Sequence, residues 1–348
     1  MSPDSKGRRI TIREATPADG DAIEQLFIDS PDEGAVSFAP RFSHDAYEAY
    51  NGLRTDSTGF VAKTEDGRIV GVGFVSFTDA RFGGEIRPSA LLNAVAVHPE
   101  ARGQGLAKRL ARHRIEYARS HLGEDCVAFA NIQHGNAPSR AVAESWGDEL
   151  AYDFLLYPAP PLDGTPADTS YDIHEASETE LETALAAANE FYADAEVYRP
   201  HSPAAFRRLR EGSPVDDPLH RYVVATDGEA VVAGVVAIDM HRVMKLVVES
   251  LPPELADADE LPPAIPASKE LRMTMLSDLW HASGEPAAAQ ALWDHLRSTT
   301  GNANRVMLNY APSGPVDDAL RIDPGGAMEL SVAVAGPTLA DAEIAPVF

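Results

Sequence analysis

Between residues 91 and 122 the apolar period changes once, and the change marks a strand followed by a helix. Leu91-Leu92-Asn93-Ala94-Val95-Ala96-Val97 is a short apolar run and predicts a strand. Beyond it Ala107, Ala111, Ile115, Ala118 and Leu122 recur at spacings of four, four, three and four, with Leu110 beside them. That is one face of an amphipathic helix. Pro99, Gly103 and Gly105 lie between the two. Residues 10–28 repeat the order: a strand, then a helix that Thr16 can cap and Pro17 can open, with Ala22, Ile23, Leu26 and Phe27 as its buried stripe. Phe60–Thr64 and Arg68–Phe77 predict a hairpin turned at Asp66-Gly67.

A glycine-bearing loop that ends in a helix N-terminus is a natural anion site. The first-turn N–H groups have no intrahelical partners, and glycine removes the Cβ atoms that would hold a phosphate off. Charge agrees locally. The chain carries 29 Lys+Arg against 54 Asp+Glu, a net of −25. Yet Arg102, Lys108, Arg109, Arg112, Arg114 and Arg119 face a single acid, Glu116, within residues 102–119. This basic island suggests a polyanionic ligand; the other reading is a solvated helix face.

Arg102-Gly103-Gln104-Gly105-Leu106-Ala107, preceded by Val97-His98-Pro99, resembles the Arg/Gln-x-x-Gly-x-Gly/Ala signature of the GNAT acetyltransferase superfamily. A fifth strand at Cys126–Asn131 and a helix at Asn136–Gly147, with Asn136, Ser139 and Gly147 at family-like spacing, extend the likeness over residues 8–157. The resemblance implies an α/β (α+β) GNAT fold, a mixed central sheet flanked by helices. It implies acetyl-CoA as co-substrate. Backbone amides of Arg102, Gly103, Gln104, Gly105, Leu106 and Ala107 would cradle the pyrophosphate. Main-chain groups of Val95, Ala96 and Val97 would bind the pantetheine arm between splayed strands, and an N–H there would receive the thioester oxygen. Asn136 and Ser139 would hold the arm from the other side, although Asn136 also reads as a plain helix N-cap.

Composition narrows the remainder. A chain of 348 residues suggests two domains. No run approaches the length of a membrane span, and MSPDSKGRR lacks the apolar core of a secretory signal, so a cytoplasmic protein without a membrane partner is expected. Cys126 is the sole cysteine and reads as a core residue. The histidines show no ligand spacing, so no metal is expected, and the acidity argues against nucleic acid. Only five of the 29 basic residues are lysines. Few lysines among many carboxylates resembles proteins of halophilic microbes; an ordinary acidic protein from a GC-rich genome is the alternative.

The tract Pro158–Pro166 cannot continue a helix or central strand and marks a boundary. The expected division is a flexible N-terminus at 1–8, a catalytic GNAT domain at 9–157, a linker at 158–170 and a degenerate GNAT-like domain at 171–348. In the latter, Tyr171–Ala176 parallels Ile10–Ala15, and an Ala/Leu/Glu-rich helix follows. A hairpin turns at Asp227-Gly228, and Leu271–Trp280, Pro286–Thr299, Arg305–Tyr310 and Met328–Val334 read as strand, helix, strand, strand. Its loop His281-Ala282-Ser283-Gly284-Glu285-Pro286 lacks the phosphate pattern and puts an acid where phosphate would approach. Residues 252–268 read as a Pro- and acid-rich loop, either solvated or overhanging an acceptor cleft.

The activity implied is direct transfer of acetyl from acetyl-CoA to a primary amine of a small molecule or peptide in a ternary complex, by a monomer or homodimer. A neutral amine must attack, so a group must take a proton. Where many GNAT enzymes have Glu this chain has Asn93, which can orient water. Glu85 and Asp125 are the carboxylate candidates, and His134 is a further base candidate. The family's acid, a Tyr four residues after the Ser139 position, is replaced by Ala143; Tyr152 is the substitute on offer. The alternative function is a non-catalytic acyl-CoA-binding or regulatory tandem protein.

Overall fold

The computed structural model describes residues 9–32, 36–164, 169–251, 265–312, 314, 316–322 and 327–336, and for 151–153 the backbone alone. The expected flexible residues 1–8 and most of the 252–268 loop lie outside the described residues.

The first half runs β1 (Ile10–Glu14), α1 (Gly20–Asp29), β2 (Ser37–Phe42), α2 (Ala46–Gly52), β3 (Ser57–Thr64), β4 (Ile69–Phe82), β5 (Glu85–Val97), α3 (Leu106–Leu122), β6 (Val127–Gln133), α4 (Ala137–Ala143) and β7 (Glu149–Ala159). The second runs β8 (Asp172–Glu175), α5 (Glu178–Phe191), α6 (Pro203–Glu211), β9 (His220–Asp227), β10 (Ala230–Ile238), β11 (Met244–Ser250), β12 (Glu270–Leu271), β13 (Met273–His281), α7 (Pro286–Ser298), β14 (Arg305–Tyr310) and β15 (Met328–Ala335).

Helix α1 starts later than the sequence suggests. Pro17–Asp19 form a 3-10 turn first. The Asp19 carboxylate accepts from the Thr16 N–H at 2.8 Å and forks with Arg13 at 2.7 and 2.8 Å. Ile23, Leu26 and Phe27 are buried, whereas Ala22 is exposed. Helix α3 buries Leu106, Leu110, Ala111, Ile115 and Ala118 against β4 and β5. Cys126 is buried among them, and burial pushes its thiol up.

Twelve strands form one sheet in the order β1-β3-β4-β5-β6-β15-β7-β14-β13-β10-β9-β8. Only β5/β6 and β13/β14 are parallel, each pair joined by a crossover helix, α3 or α7. The order reads the same from either end, so the halves are related by a pseudo-twofold through the centre. At that centre the halves exchange strands. β15, from the end of the chain, lies between β6 and β7, and β7 pairs with β14. The tract at 158–170 thus divides the chain in sequence while the sheet continues across it. The expectation that this tract ends any central strand is corrected at Pro158, which pairs with Met307 inside β7. Pairing of β15 to β7 stops at Leu156, so Pro158 meets a neighbouring strand on one flank only, as a proline in a sheet needs.

Two further links cross the seam. β2 joins β11 and β12 in a small second sheet. The β4–β5 hairpin tip, Gly83-Gly84, has positive φ at both residues and donates both N–H groups to the buried Glu196 carboxylate at 2.8 and 2.7 Å.

Candidate active site

Parallel pairing between β5 and β6 lasts three residues: Ser89–Val127, Ala90–Ala128 and Leu91–Phe129. Beyond Leu91 and Phe129 the strands part. On its other side β5 stays paired with β4 but slips by one residue. Val72 faces Ala96 and Phe74 faces Asn93, leaving Ala94 and Val95 opposite Gly73. Ala94 takes φ 49°, as a bulged strand residue can. Val95, at 40% exposure, is an apolar side chain open at the mouth of the gap.

Gly73 explains how the bulge is filled from below. A Cβ there would lie 2.9 Å from the guanidinium carbon of Arg114. Arg114, on α3, is buried and donates to the carbonyls of Phe74 at 2.8 Å, Asn93 at 3.1 Å and Leu110 at 3.2 Å. Burial pulls its guanidinium down to about 10, so it stays charged at neutral pH. The sequence placed Arg114 in the basic island. The missed signal is that position 114 shares the apolar stripe with Leu110, Ala111, Ile115 and Ala118.

Strand β5 leads into the loop. The Val97 carbonyl accepts from Arg102 Nε at 3.0 Å, so Arg102 braces the loop against the strand end. Gly103 and Gly105 sit at φ 74° and 72°, the left-handed region that glycine enters without cost. A Cβ on either would meet nothing within 4 Å, so the space in front of the loop is open. Gly105 caps α3 with no side chain, and Leu106 and Ala107 supply its first-turn N–H groups. Lys108, Arg109 and Arg112 are exposed on the same helix. Anion, helix dipole and charge all fit here.

Across the gap, Asn136 caps α4. Its Oδ1 accepts from the Ser139 N–H at 2.9 Å, and its amide donates to Asp32 at the end of the α1 segment. Both ends of the Asn136 amide are engaged, and its cap places the start of α4. A cavity of about 270 Å³ lies beside it, between α4 and the sheet, reaching Ile132, Leu150 and Ser331.

The proton-transfer candidates separate. Glu85 begins β5 beside the hairpin tip, paired with Arg87 at 2.7 Å and 71% exposed on its side chain. Nine residues of extended strand, about 30 Å, part it from Ala94. The structure does not bring Glu85 to the gap. Asn93 does lie there, with its amide on Ser76 Oγ at 3.2 Å. His134 is held by Glu329 at 3.0 Å and Ser331 at 2.8 Å, both on β15. Asp125 lies in the exposed turn between α3 and β6. Tyr152 is the extra residue where β7 slips against β15; its side chain lies outside the described residues. Ala143 is buried against Ile132 and Ala333. Among the described residues no group of His, Cys, Asp and Glu has the arrangement of a metal site, and no helix is long and apolar enough to cross a membrane.

The second half repeats the frame and fills it. β13 and β14 pair through Met273–Leu276 and then part. Asp278 and Leu279 bulge opposite Val235, with Asp278 at φ 55°. Here the bulge holds a polar network. Asp278 bonds His201 at 3.1 Å, and the Tyr192 hydroxyl donates to the Leu279 carbonyl. At the helix N-terminus the cap is Glu285, whose carboxylate accepts from the Tyr171 hydroxyl at 2.8 Å, and Pro286 removes the first N–H.

Known proteins carry the same architecture. Residues 21–147 match the family model of the Acetyltransferase (GNAT) family. A search of curated proteins by sequence gives no match. Among solved structures, Saccharomyces cerevisiae N-myristoyltransferase with bound myristoyl-CoA aligns with TM-score 0.65 at 10% identity, covering 100% of this chain and 87% of its own. A GCN5-related N-acetyltransferase from Sphaerobacter thermophilus gives 0.57 at 16% identity, with full coverage of both chains. A GCN5-related N-acetyltransferase from Kribbella flavida gives 0.53 at 13% identity, over 95% of this chain and 72% of its own. At such identities these likenesses speak for the fold alone. The family match thus covers residues 21–147, and the rest of the chain follows it with a second half of the same strand order.

Proposed function

We propose that the protein is an acetyl-CoA-dependent N-acyltransferase with one working site, in the first half. The observation that carries this reading is a conjunction: a bulged, parted β5/β6 pair leads directly into a double-glycine loop with open space before it. The pyrophosphate rests on the amides of residues 103–107, and the pantetheine arm lies beside residues 95–97 in the gap. The bound myristoyl-CoA of the yeast neighbour supports an acyl-CoA ligand for this frame.

The acceptor is a primary amine. Its neutral nitrogen attacks the thioester carbon and forms the C–N bond. The oxygen charge that develops is met by main-chain N–H groups at the bulge. The C–S bond then breaks and CoA leaves as thiolate. The proton lost by the ammonium passes to solvent through water that Asn93 can orient. A thiol's ordinary pKa of about 8.5 makes departure without an acid workable near neutral pH. Measuring CoA release from acetyl-CoA with a panel of amines tests the reading. Amine-dependent release supports it. Tight acetyl-CoA binding without turnover supports instead a regulatory acyl-CoA-binding protein, the reading that Ala143 favours.

A further inference from the structure

We propose that Arg114 is a positioning residue for acyl transfer: it fixes the Asn93–Ala94 peptide so that its N–H faces the gap that receives the thioester oxygen. The inference rests on the acyltransferase reading above. One nitrogen, Nη1, holds the Phe74 carbonyl on β4 at 2.8 Å and the Asn93 carbonyl on β5 at 3.1 Å. The two residues are partners in the ladder, so the guanidinium sits between the strands. The Asn93 carbonyl therefore turns toward β4 and α3. Among the described residues no peptide is cis, so the Ala94 N–H of the same unit points the opposite way. On that flank β5 has already parted from β6.

Two features make this a built device. Ala94 sits at φ 49°, a conformation that an alanine holds only when its surroundings enforce it. Gly73 is the residue whose missing Cβ admits the guanidinium. The second half shares the strained bulge, with Asp278 at φ 55°, but Val235 stands opposite it where the first half has Gly73, and the bulge carbonyl of Leu279 accepts from the Tyr192 hydroxyl. The half with the open phosphate loop is the half with the arginine. A bulge held by a charged fork keeps its N–H aimed before substrate arrives, which is where such donors gain their effect.

The test uses the full chain and acetyl-CoA labelled isotopically at the acetyl carbonyl. Infrared difference spectra read how strongly the bound thioester carbonyl is polarised. Calorimetry reads acetyl-CoA affinity, and steady-state assays separate kcat from KM. Wild type should shift the carbonyl to lower frequency on binding. Arg114→Leu should lose that shift and lower kcat by ~10- to 100-fold, with acetyl-CoA affinity unchanged because the phosphate loop is intact. Arg114→Lys should recover part of both. If Arg114→Leu does not fold, Gly73→Ala, which crowds the guanidinium, should reduce the shift in the same direction. A full shift and full kcat in a folded Arg114→Leu variant of lowered stability would make the arginine a packing residue and overturn the inference alone. A wild-type protein that binds no acetyl-CoA would overturn the site reading and this inference together.

Discussion

The two halves have one strand order, one pair of parting parallel strands and one bulge each, yet they treat the resulting gap in opposite ways. In the first half Ala94 and Val95 bulge beside the gap, and the loop beyond it carries two left-handed glycines and ends at Gly105, a cap with no side chain. In the second, the bulge is tied down by side chains, Asp278 to His201 and the Leu279 carbonyl to Tyr192, and the helix terminus carries Glu285 and Pro286. A negative side chain at a helix N-terminus is stabilising on the same grounds that a phosphate is. The second half has satisfied internally what the first leaves for a ligand. The proposal of a single working site in the first half rests on this contrast.

The largest effect should come from breaking the loop contrast. Gly105→Trp fills the open space and should weaken CoA binding by ~10³-fold, equal to about 4 kcal/mol. Gly284→Trp, at φ 84° in the second loop, should leave CoA affinity unchanged. Isothermal titration of both variants checks the pair.

The closed half should be the acid-sensitive one. His220 is buried, and its Nδ1 has no hydrogen-bond partner among the described residues. Burial, with backing from Arg54, Arg199 and His201, lowers it from 6.5 to about 4. An unfolded chain takes a proton below pH 6.5 that the folded chain refuses until about pH 4. The stability contributed is complete above 6.5 and is lost as pH falls through that window, at most ~3 kcal/mol. Denaturant midpoints of His220→Gln should flatten between pH 6.5 and 4 relative to wild type. An unchanged slope would assign the acid sensitivity elsewhere.

Next in size is the lock between halves. Glu196→Ala leaves the Gly83 and Gly84 N–H groups without their carboxylate and should cost ~2 kcal/mol or more. Glu85→Ala, on the same hairpin but exposed, should fall within about 0.5 kcal/mol of wild type and keep full turnover. Loss of turnover in Glu85→Ala would restore it as a base. The smallest effect concerns both halves alike. With a net charge of −25, the thermal midpoint should rise between low and molar KCl as carboxylate repulsion is screened. A flat midpoint would favour the ordinary acidic protein over the halophilic one.

What the sequence made legible was local. Residues 91–107 announce strand, loop and helix because period, glycine and capping all act within a few residues. The duplicated order was readable for the same reason. The strand exchange was not: Met328–Val334 reads as a strand, but its insertion between β6 and β7 depends on partners nearly two hundred residues away. Glu85 was misplaced by hairpin length. The Gly83-Gly84 turn sets a long β4–β5 arm and throws Glu85 to its far end. Arg114 was counted by charge, whereas its position on an apolar stripe held the information. Asn136 was read two ways, and its bond to the Ser139 N–H is the capping one.

The proposed acyl-CoA site of the duplicated frame is single and lies in the first half. Titrating the wild-type chain with acetyl-CoA in a calorimeter tests it most directly. One site per chain is expected, lost in Gly105→Trp and kept in Gly284→Trp. Two equivalent sites per chain, or one site that survives Gly105→Trp, would contradict it.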